Sequence, residues 1–480
     1  MPDVLLSLWT ALAAVPHLRL YLTLAWLAYL VGLGVWIVLQ KREPVATLSW
    51  LLGLAALPYL GLVIYLVFGP RRLQRYRLRR ARVRADLPGR LPAGDPDTLE
   101  LARLAEATTG LPPTTATRAD WLVDGSATYA ALLEAIAQAR QHVHLEYYIF
   151  QPDRSGALLR DALVERARAG VKVRLLLDAV GSSATPRRFF APLLAAGGEL
   201  AWFHPLRFGR IWERTWINLR THRKLVVVDG AVGFTGGINI TDEENDALRA
   251  DAYRDLHVRV EGEVVRALQR VFVEDWAYAS GQRDFLAEVA RQTPPAAPGA
   301  IAVQVVTAGP DAPWEPIHRL QVAAIHAAQR RAWLATPYFV PGEAALMALT
   351  SAALGGIDVR LLLPRQCDSR LVTLAARSYY DTLLEAGVKI HEYGPRMLHT
   401  KALLVDDDFA LVGSANFDHR SFRLNFELGL AFHDRGHAAA LARLLEGELA
   451  HAPRVHRERA RPLLTARLPE AFARLLSPLL

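Results

Sequence analysis

The sequence predicts an α/β protein with an N-terminal transmembrane hairpin followed by two similar halves, each a mixed β-sheet flanked by helices, related by a pseudo-two-fold axis. Three observations predict this fold. Two long uncharged apolar runs lie near the N-terminus, helices alternate with short apolar strands in the remainder, and one polar motif occurs twice at a fixed separation. With 480 residues, the chain is long enough for two or three domains with sizeable cores.

The first 70 residues are predicted to form a membrane region. Residues 20–39 contain no charged side chain, and a second uncharged run covers 45–68. About 20 apolar residues span the hydrocarbon core of a bilayer, so both runs are long enough to be transmembrane helices. Two buried core helices are the alternative interpretation.

A basic linker is predicted at 71–100, since eight arginines precede the first acidic residue, Asp86. The positive-inside rule places these arginines, and the chain that follows them, on the cytoplasmic side of the membrane, after a multi-pass N-terminal region. A solvated charged linker is also compatible with the run. The formal net charge of +8 indicates an anionic partner, which is nucleic acid, acidic lipid or a phosphorylated ligand.

The remaining chain is predicted to contain two halves, 101–290 and 291–480. The Pro-rich stretch 291–300 marks the boundary, and the pattern of helices and strands then begins again. "GVKVRLLLD" at 170–178 resembles "GIDVRLLLP" at 356–364, and both are continuous apolar strands of the kind buried in parallel sheets. The first half carries about 13 extra residues around 206–220.

A polar motif repeats at a separation of 177 residues. Its matched pairs are His222 and His399, Lys224 and Lys401, Asp229 and Asp406, Gly236 and Gly413, and Asn239 and Asn416. Five matched positions at one separation indicate an internal duplication. Only five lysines occur among 56 basic residues, and two of them belong to this motif. A single His-x-Lys on a strand is usually a pair of surface residues without a function, whereas two copies at the same position of a repeat indicate a function.

These residue types are suited to phosphodiester chemistry. If the halves meet, the site holds two histidines, two lysines and two asparagines. The ammonium groups neutralise the phosphate, one imidazole attacks phosphorus and the other protonates the departing oxygen. Small residues at Gly236 and Gly413 let a ligand approach the backbone, and the Asn amides can donate to phosphate oxygens. The site requires no metal, and the single cysteine, Cys367, excludes a multi-cysteine centre.

A nucleophilic imidazole needs an acceptor that fixes its tautomer. We expect Glu427 to lie near His399 and Asp255 near His222, because each acid follows its histidine by about 30 residues at the start of an apolar strand. Asp229 and Asp406 are the least certain members of the motif, since an Asp at the end of a strand often only opens a turn.

The duplicated motif resembles that of the phospholipase D superfamily, and the flanking stretches "NLRTHRKLVVVDG", "ATPYFVP" and "GSANFDHRSFRLNFE" resemble bacterial cardiolipin synthases over nearly the full length. The resemblance implies a phosphatidyltransferase that uses phosphatidylglycerol and needs no cofactor. It implies His222 as the nucleophile, His399 as general acid and then base, Lys224, Lys401, Asn239 and Asn416 as phosphate ligands, and Asp229 and Asp406 as supporting residues. The first half has Gly237 at the position where the second half has Ser414, so only the second half offers a hydroxyl near the phosphate.

Other functions remain open at this stage. A phospholipase D-type hydrolase would use water as acceptor, and a membrane-anchored phosphodiesterase or nuclease would explain the basic charge but would not need two spans, so no nucleic-acid partner is expected. A non-catalytic membrane scaffold is disfavoured because both motifs are intact. The identity of the acceptor, phosphatidylglycerol or phosphatidylethanolamine, and the oligomeric state are not predicted.

Two further segments are predicted to contact anionic membrane lipid. The insertion at 206–220 places arginines among Phe208, Trp212 and Trp216, and residues 463–480 have leucines at near-helical spacing. Ordinary core packing is the alternative for both.

Overall fold

The computed structural model describes residues 16–39, 44–56, 61, 65, 96–204, 218–282, 285, 289 and 298–477. They divide into an N-terminal unit and a larger unit that holds both copies of the motif.

The N-terminal unit contains helices α1 (Leu18–Leu39) and α2 (Pro44–Ala56). A small apolar core joins them, and other apolar side chains of α1 are more than half exposed, among them Leu20, Val31 and Leu39. Within the described residues, no helix has both the length and the apolarity needed to cross a bilayer. The predicted spans at 20–39 and 45–68 are therefore not confirmed. Most of 57–68 and the linker residues 71–95 lie outside the described residues.

The larger unit contains two mixed sheets. Its first part comprises α3 (Pro96–Thr109), β1 (Thr114–Ala116), β2 (Arg118–Val123), α4 (Asp124–Gln138), β3 (His142–Tyr147), α5 (Arg154–Arg168), β4 (Lys172–Asp178), α6 (Ala191–Ala195), β5 (Glu199–Phe203), β6 (Lys224–Val228), β7 (Val232–Gly236), β8 (Leu256–Glu261) and α7 (Val264–Ser280). Its second part comprises β9 (Ile301–Ala308), α8 (Pro316–Ala327), β10 (Arg331–Ala335), α9 (Glu343–Leu354), β11 (Asp358–Pro364), α10 (Arg370–Arg377), α11 (Tyr380–Glu385), β12 (Lys389–Tyr393), β13 (Ala402–Val405), β14 (Phe409–Gly413), α12 (His419–Arg423), β15 (Glu427–Phe432), α13 (Arg435–Leu449) and α14 (Leu468–Leu475).

The two sheets have the same strand order. One sheet runs β2-β8-β7-β6-β3-β4-β5, and the other runs β9-β15-β14-β13-β10-β11-β12 with β1 added beyond β9. In each sheet the last three strands of this order are parallel and the others are antiparallel. The equivalence of all seven strands confirms the predicted mixed sheets and gives the internal duplication a topological basis.

The start of the first half differs from the predicted residue 101. Strand β1 pairs with β9 rather than with the first sheet, and Leu101 and Ala105 of α3 pack in the core of the second half. Gln304 donates to the carbonyl oxygens of Ala102 and Leu111, which fixes the segment there. Residues 96–116 thus pack with the second half, and the first half begins at Arg118 instead of residue 101.

Three apolar cores stabilise this arrangement. A central core lies between the two sheets and combines residues of β6, β8 and α7 with residues of β13, β15 and α13. The outer face of each sheet packs against its own helices. Because both faces of the middle strands are covered, β4 and β11 each contain a run of three buried leucines, 175–177 and 361–363, as their sequences predict. The shared central core holds the two motif strands in one rigid unit.

Candidate active site

Both copies of the motif lie at the start of central strands. His222 precedes β6 and Lys224 opens it, whereas His399 and Lys401 both precede β13. Each lysine Nζ donates to the carbonyl oxygen of the histidine two residues before it, at 2.8 Å for Lys224. This local bond directs each ammonium towards the histidine end of its strand.

Each histidine is oriented by the carboxylate of the opposite half. His222 Nδ1 lies 3.1 Å from both carboxylate oxygens of Glu427, and His399 Nδ1 lies 2.6 Å from Asp255 Oδ2. The predicted pairing within each half, Glu427 with His399 and Asp255 with His222, is therefore wrong. The residues were correctly chosen, but the partners are exchanged.

The exchange follows from backbone pairing between the halves. Residues just before the histidines form parallel bridges with residues just before the carboxylates, Thr221 with Phe426 and Leu398 with Arg254. The His222 amide donates to the Phe426 carbonyl at 2.9 Å, and the His399 amide donates to the Arg254 carbonyl at 2.7 Å. These reciprocal bonds connect the two sheets along the pseudo-two-fold axis and bring each carboxylate beside the other half's imidazole.

The two imidazoles and the two ammonium groups of the repeated motif share one buried site. Burial and the neighbouring Lys401 ammonium lower the pKa of Lys224 to about 7. Burial also lowers the pKa of Lys401, although Asp255 opposes it, and burial with both lysines holds the pKa of His399 well below its usual value. A phosphodiester anion between the lysines would raise all of these pKa values, because it supplies the missing opposite charge. The site is thus electrostatically matched to an anion.

The two orienting carboxylates differ. Burial raises the pKa of Asp255 to about 6, even though Lys401 lies 3.4 Å from its Oδ2. The pKa of Glu427 is below its usual value: burial opposes this, but the His222 and Lys224 charges and the Ser414 hydroxyl outweigh it. The Glu427 carboxylate is therefore the more firmly ionised of the pair, and it fixes His222 with a proton on Nδ1 and a lone pair on Nε2.

Ser414 and Gly237 make the halves unequal. The Ser414 hydroxyl donates to Glu427 and accepts from the Leu428 amide at 3.0 Å, so it holds the carboxylate rather than facing the phosphate as expected. At Gly237 an added Cβ would lie 2.2 Å from Asp255 Oδ1. Asp255, which has a shorter side chain than Glu427, therefore packs directly against the backbone of Gly237. In the second half, the Ser414 side chain occupies the equivalent position.

The preceding glycines are needed for close strand approach. A Cβ at Gly236 would lie 2.6 Å from the Leu256 carbonyl oxygen, and one at Gly413 would lie 2.3 Å from the Leu428 carbonyl oxygen. Both glycines therefore allow the carboxylate strands to pack against the motif strands, which is a structural role beside the predicted ligand approach.

Glu244 is a site residue that sequence reasoning missed. Its carboxylate accepts from the Asn239 side-chain amide at 2.6 Å and from the Asn239 backbone amide at 2.7 Å, and it lies 3.9 Å from His399 Nδ1. At the equivalent place in the second half, Ser421 accepts from the Asn416 backbone amide. The 177-residue separation relates Glu244 to Ser421, and because the two residue types differ, the repeat gives no signal for Glu244.

The asparagines are consequently in different environments. The Asn239 amide donates to Glu244 and its Oδ1 accepts from the Ile149 amide, whereas Asn416 Oδ1 is buried without a hydrogen-bond partner among the described residues. A phosphate-binding role for both remains a prediction, and Asn416 has the more available side chain.

Asp229 and Asp406 have a structural role at the far ends of their strands. Asp229 accepts from the backbone amides of residues 140–142, each at 2.8 Å, and Asp406 accepts from those of residues 329–331 at 2.8–3.0 Å. Both have left-handed backbone angles, with φ of 52° and 49°. At about 3.3 Å per residue, Asp229 lies roughly 16 Å along β6 from Lys224. These contacts give both residues a structural role, since they close the turns that hold neighbouring strands, and their supporting role in catalysis stays a prediction.

Two tyrosines also line the site and have no signal in the motif. The Tyr148 ring centroid lies 4.9 Å from that of His222, and the Tyr253 centroid lies 5.5 Å from that of His399. Tyr148 also lies 5.5 Å from Lys224 Nζ. Each tyrosine ring thus packs against one of the two imidazoles of the site.

One group of potential metal ligands exists among the described residues, namely Glu244, Asp255 and His399. His399 Nδ1 and Asp255 already bond to each other, and the Lys401 ammonium lies beside the same carboxylate. A metal ion there would have to displace an ammonium group, so this donor set does not fit a cation.

The predicted lipid-contacting segments are described to different extents. Residues 206–217 of the Arg- and Trp-containing insertion, including Phe208, Trp212 and Trp216, lie outside the described residues. Arg220 at its end is buried and lies 3.4 Å from Asp178 Oδ1, so this arginine does not face lipid. The C-terminal segment is helical as predicted, with one wide turn at Leu463–Arg467 followed by α14. Its strongly exposed apolar side chains are Leu464, Phe472 and Leu475.

Comparisons with known proteins show which family the chain resembles. Residues 132–276 and 322–449 match the family described as cardiolipin synthase, PLD-like domain, and residues 27–70 match the phospholipase D-nuclease N-terminal family. The chain is 39% identical to a cardiolipin synthase of Geobacillus thermodenitrificans and 40% identical to one of Geobacillus kaustophilus, with 92% of this chain and 90% of each relative covered. A phosphatidylserine synthase structure from Haemophilus influenzae shares the fold, with a TM-score of 0.61 and 14% identity over 79% of this chain and all of that one.

Proposed function

Because the chain belongs to the cardiolipin synthase family of the phospholipase D superfamily, we propose that it is a phosphatidyltransferase that converts two phosphatidylglycerol molecules into cardiolipin and glycerol. The observation that carries this proposal is the single buried site in which the two His-x-Lys motifs converge with exchanged carboxylates. Two ammonium groups hold the phosphate, while two separately oriented imidazoles supply a nucleophile and an acid.

His222 is the nucleophile in this proposal. Its Nδ1 proton is directed to the ionised Glu427, which in turn is held by Ser414 and by the Asn425 amide at 3.2 Å. Nε2 therefore carries a lone pair that attacks phosphorus. A phosphorus–nitrogen bond forms as the bond to the glycerol oxygen breaks, and His399 gives its Nε2 proton to that oxygen. The phosphatidyl group is then bound to His222.

The second step reverses the roles. The terminal hydroxyl of another phosphatidylglycerol loses its proton to His399 Nε2, and its oxygen attacks phosphorus as the bond to His222 breaks. Asp255 and Glu244 are the anions that stabilise the imidazolium formed at His399, at 2.6 and 3.9 Å. If water replaced the acceptor, phosphatidic acid would result instead of cardiolipin.

Membrane attachment of this enzyme is part of the proposal. The apolar runs at 20–39 and 45–68 would form a multi-pass anchor in a bacterial inner membrane, and the arginines from 71 onward would keep the catalytic part cytoplasmic. The exposed apolar side chains of α1 support this. Resistance of the membrane-bound protein to alkaline carbonate extraction, combined with protease access from the cytoplasmic side, tests it.

The central test uses purified full-length protein and vesicles that contain phosphatidylglycerol labelled in the terminal glycerol. We expect one glycerol released for each cardiolipin formed. His222→Ala and His399→Ala should each lower this rate by about 10³-fold or more, without additivity in the double variant. Phosphatidic acid as the main product of the unchanged protein would show a hydrolase instead.

A further inference from the structure

A basic groove is lined in part by Arg396 and Met397, which precede His399 in the chain. It has a volume of about 900 Å³, and the charged side chains that line it are Asp251, Arg365, Arg370, Arg377 and Arg396. Four arginines against one aspartate give the groove a positive lining. Such a lining favours an anionic ligand, since a guanidinium can form two parallel hydrogen bonds with a phosphate.

Two of these arginines are available for a ligand. Arg377 is 3.1 Å from Glu392, and Arg396 is 2.6 Å from Asp124, so both are already paired. Arg365 and Arg370 are exposed, and neither has a carboxylate at ion-pair distance among the described residues. Asp251 is paired with Arg249 at 2.7 Å. The free positive charge of the groove therefore lies on Arg365 and Arg370.

The groove lies close to His399 along the chain. Arg396 and Met397 line it and lie only three and two residues before His399, which limits the path along the chain to about 11 Å. On the other side, Asp251 lines the groove and Tyr253 packs beside the His399 ring. A molecule held in the groove is therefore close to His399, the residue that takes the proton of the acceptor hydroxyl in the proposed function.

The outer rim of the groove is apolar. Thr465 lines the groove within the C-terminal segment, and the neighbouring Leu464 is 75% exposed. Phe472 and Leu475 are exposed on the following helix α14, which packs on α10, the helix that carries Arg370. A positive groove bordered by exposed apolar side chains is complementary to a phospholipid in a bilayer: the arginines meet its phosphate, and the leucines and phenylalanine meet its acyl chains.

We propose that Arg365 and Arg370 bind the phosphate of the second phosphatidylglycerol, the acceptor, while its acyl chains remain in the bilayer against the C-terminal segment. This rests on the proposed function. The acceptor must present its hydroxyl to His399, and its own phosphate lies beyond the glycerol that carries this hydroxyl. Water has no such phosphate, so the groove selects lipid over water as the acceptor.

The test compares the two chemical steps in the variant Arg365→Gln/Arg370→Gln of the full chain. Phosphatidylglycerol vesicles are mixed with the enzyme, and the burst of labelled glycerol reports the donor step, while cardiolipin reports the acceptor step. We expect the burst to change by less than about twofold. The phosphatidylglycerol density for half-maximal cardiolipin formation should rise by about tenfold or more, and the share of phosphatidic acid should increase.

Matched variants separate this effect from general charge loss. Arg266→Gln/Arg443→Gln removes two exposed helical arginines outside the groove and should leave both steps unchanged. Arg365→Lys/Arg370→Lys restores the charge and should recover most of the transfer. If the glutamine variant unfolds at a lower temperature than its control, the lysine variant decides the outcome.

Different failures have different meanings. Unchanged cardiolipin formation in the glutamine variant, or an equal fall in burst and transfer, would overturn the acceptor site. Absence of cardiolipin with the unmodified protein would instead overturn the proposed function. Soluble glycerophosphoglycerol should compete poorly with vesicle lipid; competition at equal concentration would show that the groove recognises the phosphate alone and that the apolar rim plays no part.

Discussion

Both carboxylate oxygens of Glu427, in the second half of the chain, lie 3.1 Å from Nδ1 of His222 in the first half. The reverse contact, between Asp255 and His399, completes the exchange. Each imidazole therefore depends on the other half for its tautomer, and neither half contains a complete acid–base pair. The two halves form one catalytic unit because their catalytic parts are divided between them.

The exchanged carboxylates should affect different steps. Glu427→Gln removes the charge beside His222 and should slow formation of the phosphatidyl-enzyme by about 10²-fold or more, whereas Asp255→Asn should slow proton transfer at His399 by a similar factor. Rapid-quench measurement of glycerol release and of trapped phosphatidyl-enzyme distinguishes them. If Asp255→Asn acted only through His222, the exchanged assignment would be contradicted.

Lys224 should lower the stability of the protein at neutral and acidic pH. Its pKa is about 7 in the folded protein against 10.5 for an ordinary lysine, so the unfolded state binds more protons between these values and stability rises with pH there. Lys224→Met should therefore have a higher melting temperature than the unchanged protein below about pH 7. The difference should shrink as the pH approaches 10.5, and activity should be lost. Melting curves at pH 6, 8 and 10 measure this, and a constant difference would contradict the shifted pKa.

Asp229 and Asp406 should matter for stability rather than chemistry. Asp229→Ala and Asp406→Ala each leave three backbone amides without their acceptor, and the free energy of unfolding should fall by about 2 kcal/mol or more. Turnover per folded molecule should stay within about threefold. Asn at either position keeps one acceptor oxygen and tolerates the left-handed backbone, so it should lower the free energy of unfolding by less than Ala does. A fall in turnover of 10²-fold at unchanged melting temperature would restore the catalytic interpretation.

Substitutions at the equivalent positions Gly237 and Ser414 should reduce the transfer activity to different extents. Gly237→Ser places a Cβ 2.2 Å from Asp255 Oδ1 and should displace that carboxylate from His399, with a loss of about 10²-fold in transfer. Ser414→Ala removes one hydrogen bond to Glu427 and should cost about tenfold or less. Steady-state cardiolipin formation measures both, and an active Gly237→Ser enzyme would show that the contact can relax.

The apolar side chains of the C-terminal segment should bind the membrane. Leu464→Gln/Phe472→Gln/Leu475→Gln should weaken activity on vesicles and leave the melting temperature nearly unchanged, because these side chains are exposed. Met347→Gln/Leu354→Gln, which changes equally exposed apolar residues of α9, serves as the control. Detergent-solubilised substrate should restore the activity of the triple variant. A lower melting temperature in the triple variant alone would instead indicate a packing role.

The sequence by itself determined the duplication and the chemistry of the site. The fixed separation of 177 residues identifies the histidines, lysines and asparagines, and the apolar strands around them predict the two mixed sheets that the structure confirms. These features are local: a strand of period two and a repeated motif are readable because each depends only on neighbouring residues.

Only the tertiary structure decided which groups meet. The pairing of Glu427 with His222, the roles of Glu244 and Ser414, and the distance of Asp229 from the site all depend on how the two sheets pack. A symmetric duplication allows each carboxylate to serve its own half or the other half. The bridges between Thr221 and Phe426 and between Arg254 and Leu398 settle this, because a backbone contact between residues about 150 or more positions apart has no local pattern in the sequence.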